Sequence, residues 1–387
     1  MSQRYLGTLP VLPQGLIGIR SAKGTGKTES LKPLVWQARK VLLVGHRVAL
    51  LRNQSKRLGL PLYSDEGVNI ERVSKLAITV DSLPKLPTLA NQYDLVLIDE
   101  VEQVLDHLVN STTCKSFRER ALLAFEYFCK TAKKVVVLDA DLSDVSLDYL
   151  CACRSGETPY LIVNGYLNGD RQIRWFEGAD ASALVSTLKD DIAAGGRPYV
   201  FTDSKTEAKR LEVVLSDTFP NKHIEVIHGD NSGEEDKINF VEQINQRVRE
   251  VDVLIATPSL GTGVSIDVDH FSAVYGIAHG GSLSASQLSQ GLFRVRPRLP
   301  MAVWVSPKIC GGYRETSSTR LREDAIKRYK ATGIILQIDP ISGEEQAANQ
   351  PYLKLWSELN ARKHFSLNRL RESLADLLKA EGHILVT

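Results

Sequence analysis

Three stretches of the chain carry residue types that belong together in phosphoryl-transfer chemistry. The first is Ser21-Ala22-Lys23-Gly24-Thr25-Gly26-Lys27-Thr28. The apolar run Leu16-Ile17-Gly18-Ile19 precedes it, and Glu29-Ser30-Leu31-Lys32 opens a helical segment after it. Strand, glycine-rich turn and helix are the context that a phosphate-binding loop requires. Glycines let backbone N–H groups curl around phosphate oxygens, and the helix N-terminus adds partial positive charge. In that setting Lys27 reaches the β- and γ-phosphates and the Thr28 hydroxyl ligates Mg²⁺. Ser21 stands where glycine or alanine is usual, a change from small to small. The bland alternative is an ordinary Gly-rich turn before a helix.

The second stretch is Asp99-Glu100, which ends the run Tyr93-Asp94-Leu95-Val96-Leu97-Ile98. Carboxylates at the C-terminal edge of a parallel sheet sit where ligands of such sheets bind. One can hold the Mg²⁺ of a nucleotide and the next can orient the attacking water. The metal role goes to Asp99 and the water to Glu100. The third stretch is Gln290-Gly291-Leu292-Phe293-Arg294-Val295-Arg296. Phosphoryl transfer develops charge on the transferred group, and an arginine from outside the loop can stabilise it. Arg294 and Arg296 share a face if the segment is extended and diverge if it is helical.

These residues need elements to position them. The segment 40–47, ending in polar residues, reads as a strand, as do Ala77-Ile78-Thr79-Val80, 93–100 and 133–141. The near-continuous apolar runs among them argue for parallel strands covered on both faces. The segment 118–131 has a helical pattern, and the alternation predicts an α/β lobe over 1–168. Residues 1–15 read as an arm leading into the first strand. The turn-rich stretch 164–170 marks a linker. A second alternating series follows over 169–310. Its strands are expected at 198–205, running into a loop, 224–229, 251–257, 273–277 and 302–305, with helices over 206–215 and, polar, over 237–249. Two such lobes predict a nucleotide clamped between them. The remainder, 311–387, reads as a mainly helical, basic C-terminal region. Leu367, Leu370, Leu374, Leu377 and Leu378 fall on one helical face there, and Gly382 stops the helix. A packing helix with a solvated basic face is favoured over direct nucleic-acid contact.

Composition sets few bounds. With 387 residues the chain is comfortable for two domains. Its net charge of +2 names no partner. No apolar run approaches membrane-spanning length, and the N-terminus lacks the pattern of a signal peptide, so no membrane partner is expected. Cys114, Cys129, Cys151, Cys153 and Cys310 form no CxxC pairs of zinc spacing. Cys151 and Cys153 make a lone CxC that reads as incidental. A reduced, cytoplasmic compartment is expected.

Taken in order, the stretches resemble a superfamily 2 helicase core with two tandem RecA-like P-loop lobes. The Ser21–Thr28 loop matches motif I, and His46-Arg47-Val48-Ala49-Leu50 sits where motif Ia belongs. Thr79-Val80-Asp81-Ser82-Leu83 resembles motif Ib, and Asp99-Glu100-Val101-Glu102 resembles motif II. Asp139-Ala140-Asp141 occupies the motif III position, usually filled by Ser-Ala-Thr. Phe201-Thr202-Asp203-Ser204 resembles motif IV. The stretch from Thr257-Pro258-Ser259-Leu260-Gly261-Thr262-Gly263 to Asp267 resembles motif V, and Gln290 to Arg296 resembles motif VI, with Phe293 where many relatives have glycine. More narrowly, the set looks like the herpesvirus origin-binding helicase and the cyanobacterial plasmid replication proteins. Longer members carry a primase-like region ahead of the helicase, and this chain, beginning almost at motif I, is expected to lack one.

The resemblance implies ATP and Mg²⁺ as cofactors and single-stranded or forked DNA as partner, with a primase or polymerase nearby. It implies Arg47, Thr79, Ser204 and Thr257 along the nucleic-acid path, and Gly263 and Asp267 coupling the ATP site to that path. The expected activity is ATP-driven helicase or translocase action in replication of a plasmid, phage or other mobile element. Two other readings stay open: a nucleic-acid-stimulated ATPase switch or loader without unwinding, and a DNA-binding module with a degenerate nucleotide site.

Overall fold

Val135 and Val137 face one apolar core while Val136 and Leu138 face another. That period of two, with every position apolar, is what a strand covered on both faces requires. The computed structural model describes residues 1–87, 92–167, 169–261, 264–328, 336–338, 345–347 and 349–387. The chain divides into two units, Met1–Asn168 with Glu315–Arg362, and Gly169–Arg314 with Lys363–Thr387.

The first unit is built on β1 (Gly15–Arg20), β2 (Val41–Gly45), β3 (Lys75–Thr79), β4 (Leu95–Asp99), β5 (Lys134–Asp139) and β6 (Tyr160–Val163). They form one all-parallel sheet in the order β3-β2-β4-β5-β1-β6. All strands therefore end at one edge, which collects the loop after β1, Asp99 and Asp139. The helix expected after the loop is broken into Lys27–Ser30 and Lys32–Gln37. Pro33 has no N–H to give the Glu29 carbonyl, so the ladder stops at Leu31. β6 escapes the hydrophobic pattern because it is an edge strand, with Tyr160, Leu161 and Val163 exposed.

The second unit carries β7 (Gln172–Phe176), β8 (Pro198–Thr202), β9 (Ile224–Ile227), β10 (Val253–Ala256), β11 (Ala273–Ala278) and β12 (Met301–Val305). After an antiparallel pair, β13 (Leu336–Ile338) with β14 (Glu345–Ala347), the chain returns to this sheet as β15 (Ile384–Val386). The order is β15-β7-β12-β11-β8-β10-β9, again all parallel. Helix Ala285–Leu292 lies close on β8 because Gly291 has no side chain. A Cβ there would meet the Phe201 ring at 2.2 Å.

Two expectations need correction. The polar helix over 237–249 is three short pieces, Glu235–Glu242, Ile244–Arg247 and the 3₁₀ turn Val248–Glu250. Phe240, Ile244 and Val248 still share one buried face, which is the signal the pattern detected. The C-terminal region is divided between the units rather than standing apart. Tyr352, Leu353 and Leu355 join the first unit's core, and Leu370, Leu374 and Leu378 join the second's. Helix Leu370–Ala380 ends before Gly382, as expected, but three further residues then pair with β7.

Candidate functional site

The loop after β1 is held by its own hydroxyls. Ser21 Oγ lies 2.6 Å from Thr25 Oγ1, which donates to Ala22 O at 2.8 Å. Asn164, just beyond β6, donates from Nδ2 to Ser21 Oγ at 3.0 Å and to Gln3 O at 2.7 Å. The N-terminal arm closes the set: Gln3 N donates to Asn164 Oδ1 at 2.9 Å and Leu6 N to Thr25 O at 3.0 Å. Ser21 thus supplies a hydroxyl that glycine or alanine lacks. Gly24 and Gly26 both take φ of 76°, a left-handed conformation that favours glycine. Lys23 and Ala22 complete the curl, half-buried.

At the sheet edge Thr28 Oγ1 donates to Asp99 Oδ2 at 2.8 Å, and Gln54 Nε2 donates to the same oxygen at 3.1 Å. Thr28 and Asp99 are buried. Lys27 Nζ rests on the loop's own carbonyls, Ser21 O at 2.8 Å and Ala22 O at 3.0 Å. Burial pulls its ammonium below the usual lysine range, against the opposing pull of Asp99, Asp139 and Glu100. Glu100 N donates to Asp99 Oδ1 at 3.1 Å, and Glu100 itself sits at φ 57°, ψ 49° as the cap of helix Val101–Asn110. That is a left-handed conformation for a non-glycine residue, the kind of local strain that concentrates at functional sites.

Asp139 is the buried carboxylate at the end of β5. It accepts N–H bonds from Glu102 and Asp141, both at 3.0 Å. Burial, then the Asp141 charge, push it up to about 7. In place of hydroxyls, this stretch uses a carboxylate to tie β5 to the helix that follows Asp99-Glu100.

The donor set at the Thr28–Asp99 pair is a hydroxyl and a carboxylate, both hard oxygen ligands that suit Mg²⁺. Lys27 and the glycine-containing loop stand beside it. These residues fit a magnesium–nucleotide group.

The second unit places the remaining candidates. Val295 and Ile266 form a β-bridge, with Ile266 N bonded to Arg294 O and Arg296 N bonded to Ile266 O, each at 2.9 Å. The segment is therefore extended locally. Even so, Arg294 is buried, donates to Gly261 O and lies 6.0 Å from the Phe201 ring centroid, while Arg296 is exposed. Phe293 stacks on His383, with ring centroids 4.8 Å apart and planes 16° apart, and the Arg171 guanidinium sits 5.2 Å above its ring. Asp267 is exposed and accepts from Ser265 Oγ at 2.9 Å. Gly263 lies outside the described residues.

The four residues expected on a nucleic-acid path differ in what they can offer. Arg47 is exposed after β2. Ser204 caps helix Lys205–Thr218, its Oγ accepting from Glu207 N at 3.2 Å. Thr79 and Thr257 are buried. Their hydroxyls meet Tyr63 Oη at 3.4 Å and Ile227 O at 3.2 Å. Sequence reasoning missed Gln54 and Asn164 altogether. Gln54 carries no signal beyond its helical position, and Asn164 falls in the turn-rich stretch that marks the linker.

Comparison with known proteins gives a consistent picture. An uncharacterized protein of Picosynechococcus sp. is 29% identical over 99% of this chain, which covers 42% of that protein. A protein of African swine fever virus, provisionally named a helicase/primase complex protein, is 28% identical over 63% of the chain and 23% of its own length. A mimivirus protein provisionally named a replication origin-binding protein is 29% identical over 70% of the chain and 35% of its length. The chain thus spans less than half the length of these curated relatives. Among solved structures, S. cerevisiae Dbp5 bound to RNA and ADP BeF3 superimposes with TM-score 0.54 at 15% identity, over 77% of this chain and 80% of that one. Mycobacterium smegmatis helicase Lhr bound to ssDNA and AMP-PNP gives 0.52 at 17% identity, over 83% and 46%. These likenesses show the fold, tandem RecA-like lobes of the helicase type. No helix among the described residues is long and apolar enough to cross a membrane. The family described as origin of replication binding protein matches residues 16–219, more than half of the chain and all of the loop, Asp99 and Asp139 edge, and the chain belongs to that family.

Proposed function

We propose that the chain is an ATP-dependent superfamily 2 DNA helicase or translocase acting in replication of a plasmid, phage or other mobile element. One observation carries the reading: the Thr28 hydroxyl and the Asp99 carboxylate meet at 2.8 Å beside Lys27, at the edge where every strand of the first sheet ends. Intact residues at all four positions, Lys27, Thr28, Asp99 and Glu100, support hydrolysis over a degenerate site. The viral relatives' names and the helicase fold support the replication role.

In this reading the loop amides of Ser21–Thr28 and Lys27 bind the phosphate oxygens of ATP. Lys27 exchanges its two carbonyl contacts for them. Thr28 and Asp99 hold Mg²⁺, which when bound neutralises charge on the phosphate oxygens. Glu100 orients the attacking water and accepts its proton. Arg296 is the exposed arginine available to neutralise transferred charge, while Arg294 is engaged with the Gly261 carbonyl and positions that segment. Gly263 and Asp267 couple the nucleotide to the nucleic acid. Single-stranded or forked DNA is held mainly through phosphates, because a translocase must pass over any sequence. Arg47 and Ser204 supply such contacts, and Thr79 and Thr257 hold the backbone at the ends of β3 and β10. Primase or polymerase partners follow from the same role, and the site of action is the cytoplasm.

The test compares ATP hydrolysis by the full chain with single-stranded DNA, duplex DNA and RNA, alongside Glu100→Gln. Stimulation by single-stranded DNA, lost in the variant, is the expected result. Wild-type hydrolysis no higher than the variant's with any strand overturns the enzyme reading. Hydrolysis with no displacement on tailed or forked duplexes overturns unwinding and leaves a switch or loader.

A further inference from the structure

The helix that follows Glu100 has a second cluster at its other end. His107, in its last turn, places Nε2 at 3.0 Å from both oxygens of Asp81. Cys114, in the loop that follows, places Sγ at 2.5 Å from Asp81 Oδ1. The three ligand atoms lie within 4.8 Å of one another. Cys114 is buried, and Asp81 and His107 are half-buried. Nothing in nucleotide hydrolysis uses these side chains.

We propose that Asp81, His107 and Cys114 form a zinc site that fastens the segment after β3 to the C-terminal end of helix Val101–Asn110. Three arguments carry this. The first is donor chemistry: one thiolate, one imidazole and one carboxylate make the mixed soft and borderline set that zinc prefers, and that Mg²⁺ and Ca²⁺ do not. The second is charge: a dication with one thiolate, one carboxylate and a neutral imidazole sums to zero, so the ion can sit in a half-buried place without an uncompensated charge. The third is geometry. Zinc bonds of about 2.0–2.3 Å set tetrahedral ligands roughly 3.5 Å apart. The cluster reaches that spacing when the Cys114–Asp81 edge opens by about 1 Å, a side-chain rotation in a loop that carries no sheet register.

Binding breaks the Cys114 S–H bond and forms a zinc–sulfur bond, with the proton released to solvent. No electron moves, and a water fills the fourth position. His46 stands behind His107, their ring centroids 6.0 Å apart. Asp81 follows directly on Thr79-Val80 at the end of β3, and His107 lies seven residues after Glu100 on one helix. The clamp therefore holds the helix whose first turn follows Asp99-Glu100. The inference stands without the ATPase reading, because its readouts are metal content and spectroscopy.

The experiment uses the purified full chain. Elemental analysis is expected to give one zinc per chain. Cobalt(II) substitution is expected to give a thiolate-to-cobalt charge-transfer band with d–d bands of tetrahedral intensity. Cys114→Ser is expected to abolish that band and His107→Gln to weaken binding by at least about 10-fold, while Cys151→Ser changes neither. A band that survives in Cys114→Ser overturns the assignment, as does a wild-type chain that binds neither metal. Should the variants fail to fold, X-ray absorption at the zinc edge of the wild-type protein decides. One sulfur near ~2.3 Å with lighter donors near ~2.0–2.1 Å is expected, and a first shell without sulfur overturns the proposal.

Discussion

Thr28 and Asp99, 71 positions apart in sequence, are joined by a hydrogen bond of 2.8 Å from hydroxyl to carboxylate. Both are buried, so an acceptor left by loss of the bond has little access to water. Thr28→Val keeps the shape and deletes the donor, leaving Asp99 with Gln54 Nε2 and Glu100 N. Loss of a partner to a buried charged acceptor costs about 1–3 kcal/mol. Hydrolysis is expected to fall by at least about 100-fold, the kinetic equivalent of ~3 kcal/mol. Thr28→Ser retains the donor and is expected to stay near wild type in both. Chemical unfolding and ATPase rates, measured on the same preparations, check the two halves separately.

Glu100 takes a backbone conformation that L-residues avoid, at φ 57°. The left-handed region costs a non-glycine residue about 1–2 kcal/mol, and glycine escapes that cost. Glu100→Gly is therefore expected to raise the unfolding free energy by about 1 kcal/mol while abolishing hydrolysis. Glu100→Gln keeps the strain and is expected to change stability by less than about 0.5 kcal/mol, with hydrolysis again lost. A lower melting temperature in Glu100→Gly would show that the side chain, not the backbone, dominates at this position.

The buried strands and the edge they share were legible because parallel strands covered on both faces leave unbroken apolar runs such as Val135-Val136-Val137-Leu138. The meeting of Thr28 and Asp99 was legible for a related reason: the loop that leads to Thr28 follows one such run, and Asp99 ends another. What escaped lacks that signal. β6 and β15 are short strands with exposed positions, so no period of two stands out. Asn164 reaches Ser21 across 143 positions, and no spacing rule connects them. Asp81, His107 and Cys114 come from three separate segments, and cysteine counting looks for ligands in pairs. Alternation puts Arg294 and Arg296 on one face of an extended segment, and the segment is extended, yet Arg294 is buried while Arg296 is exposed. Which of them is buried depends on the Gly261 carbonyl, a contact from a distant loop.

Phe293 sits where glycine is common in the resembling helicases, and the structure gives the ring two partners. His383 stacks on it at 4.8 Å, and Arg171 lies 5.2 Å above it. Arg171 Nη2 also donates to Arg296 O at 3.3 Å and Pro297 O at 3.2 Å. The stack links the residue after Gly382 to the backbone that carries Arg296. His383→Ala is expected to destabilise the second unit by about 1–2 kcal/mol, the worth of an aromatic pair plus lost burial. His383→Phe, which restores a flat ring, is expected to recover most of it. Unfolding monitored by a tryptophan of that unit, Trp175 or Trp304, reads the effect, and equal losses in both variants would remove the ring stack as the cause.

His279 and Glu207 give the second unit a pH-dependent contact. Their side chains approach to 3.6 Å, an ion pair rather than a hydrogen bond. The Glu207 carboxylate holds His279 above its ordinary value of 6.5 against the effect of burial; Asp203 adds to the rise and Arg210 opposes it. Burial pushes Glu207 upward, but His279 and Arg210 outweigh it and bring its carboxyl down to about 2. Because His279 is raised in the folded state, its contribution is complete below 6.5 and is lost as pH climbs through the folded value. Because Glu207 is depressed, its contribution is complete above 4.5 and is lost as pH falls toward 2. Stability from the pair is therefore greatest between those limits. His279 is more than one-third exposed, so solvent screening reduces the pair to about 0.5 kcal/mol. Wild type is expected to lose that amount between a pH below 6.5 and one well above it, and His279→Gln to lose correspondingly less. Unfolding curves at the two pH values decide the matter, since equal losses in both proteins would place the titrating group elsewhere.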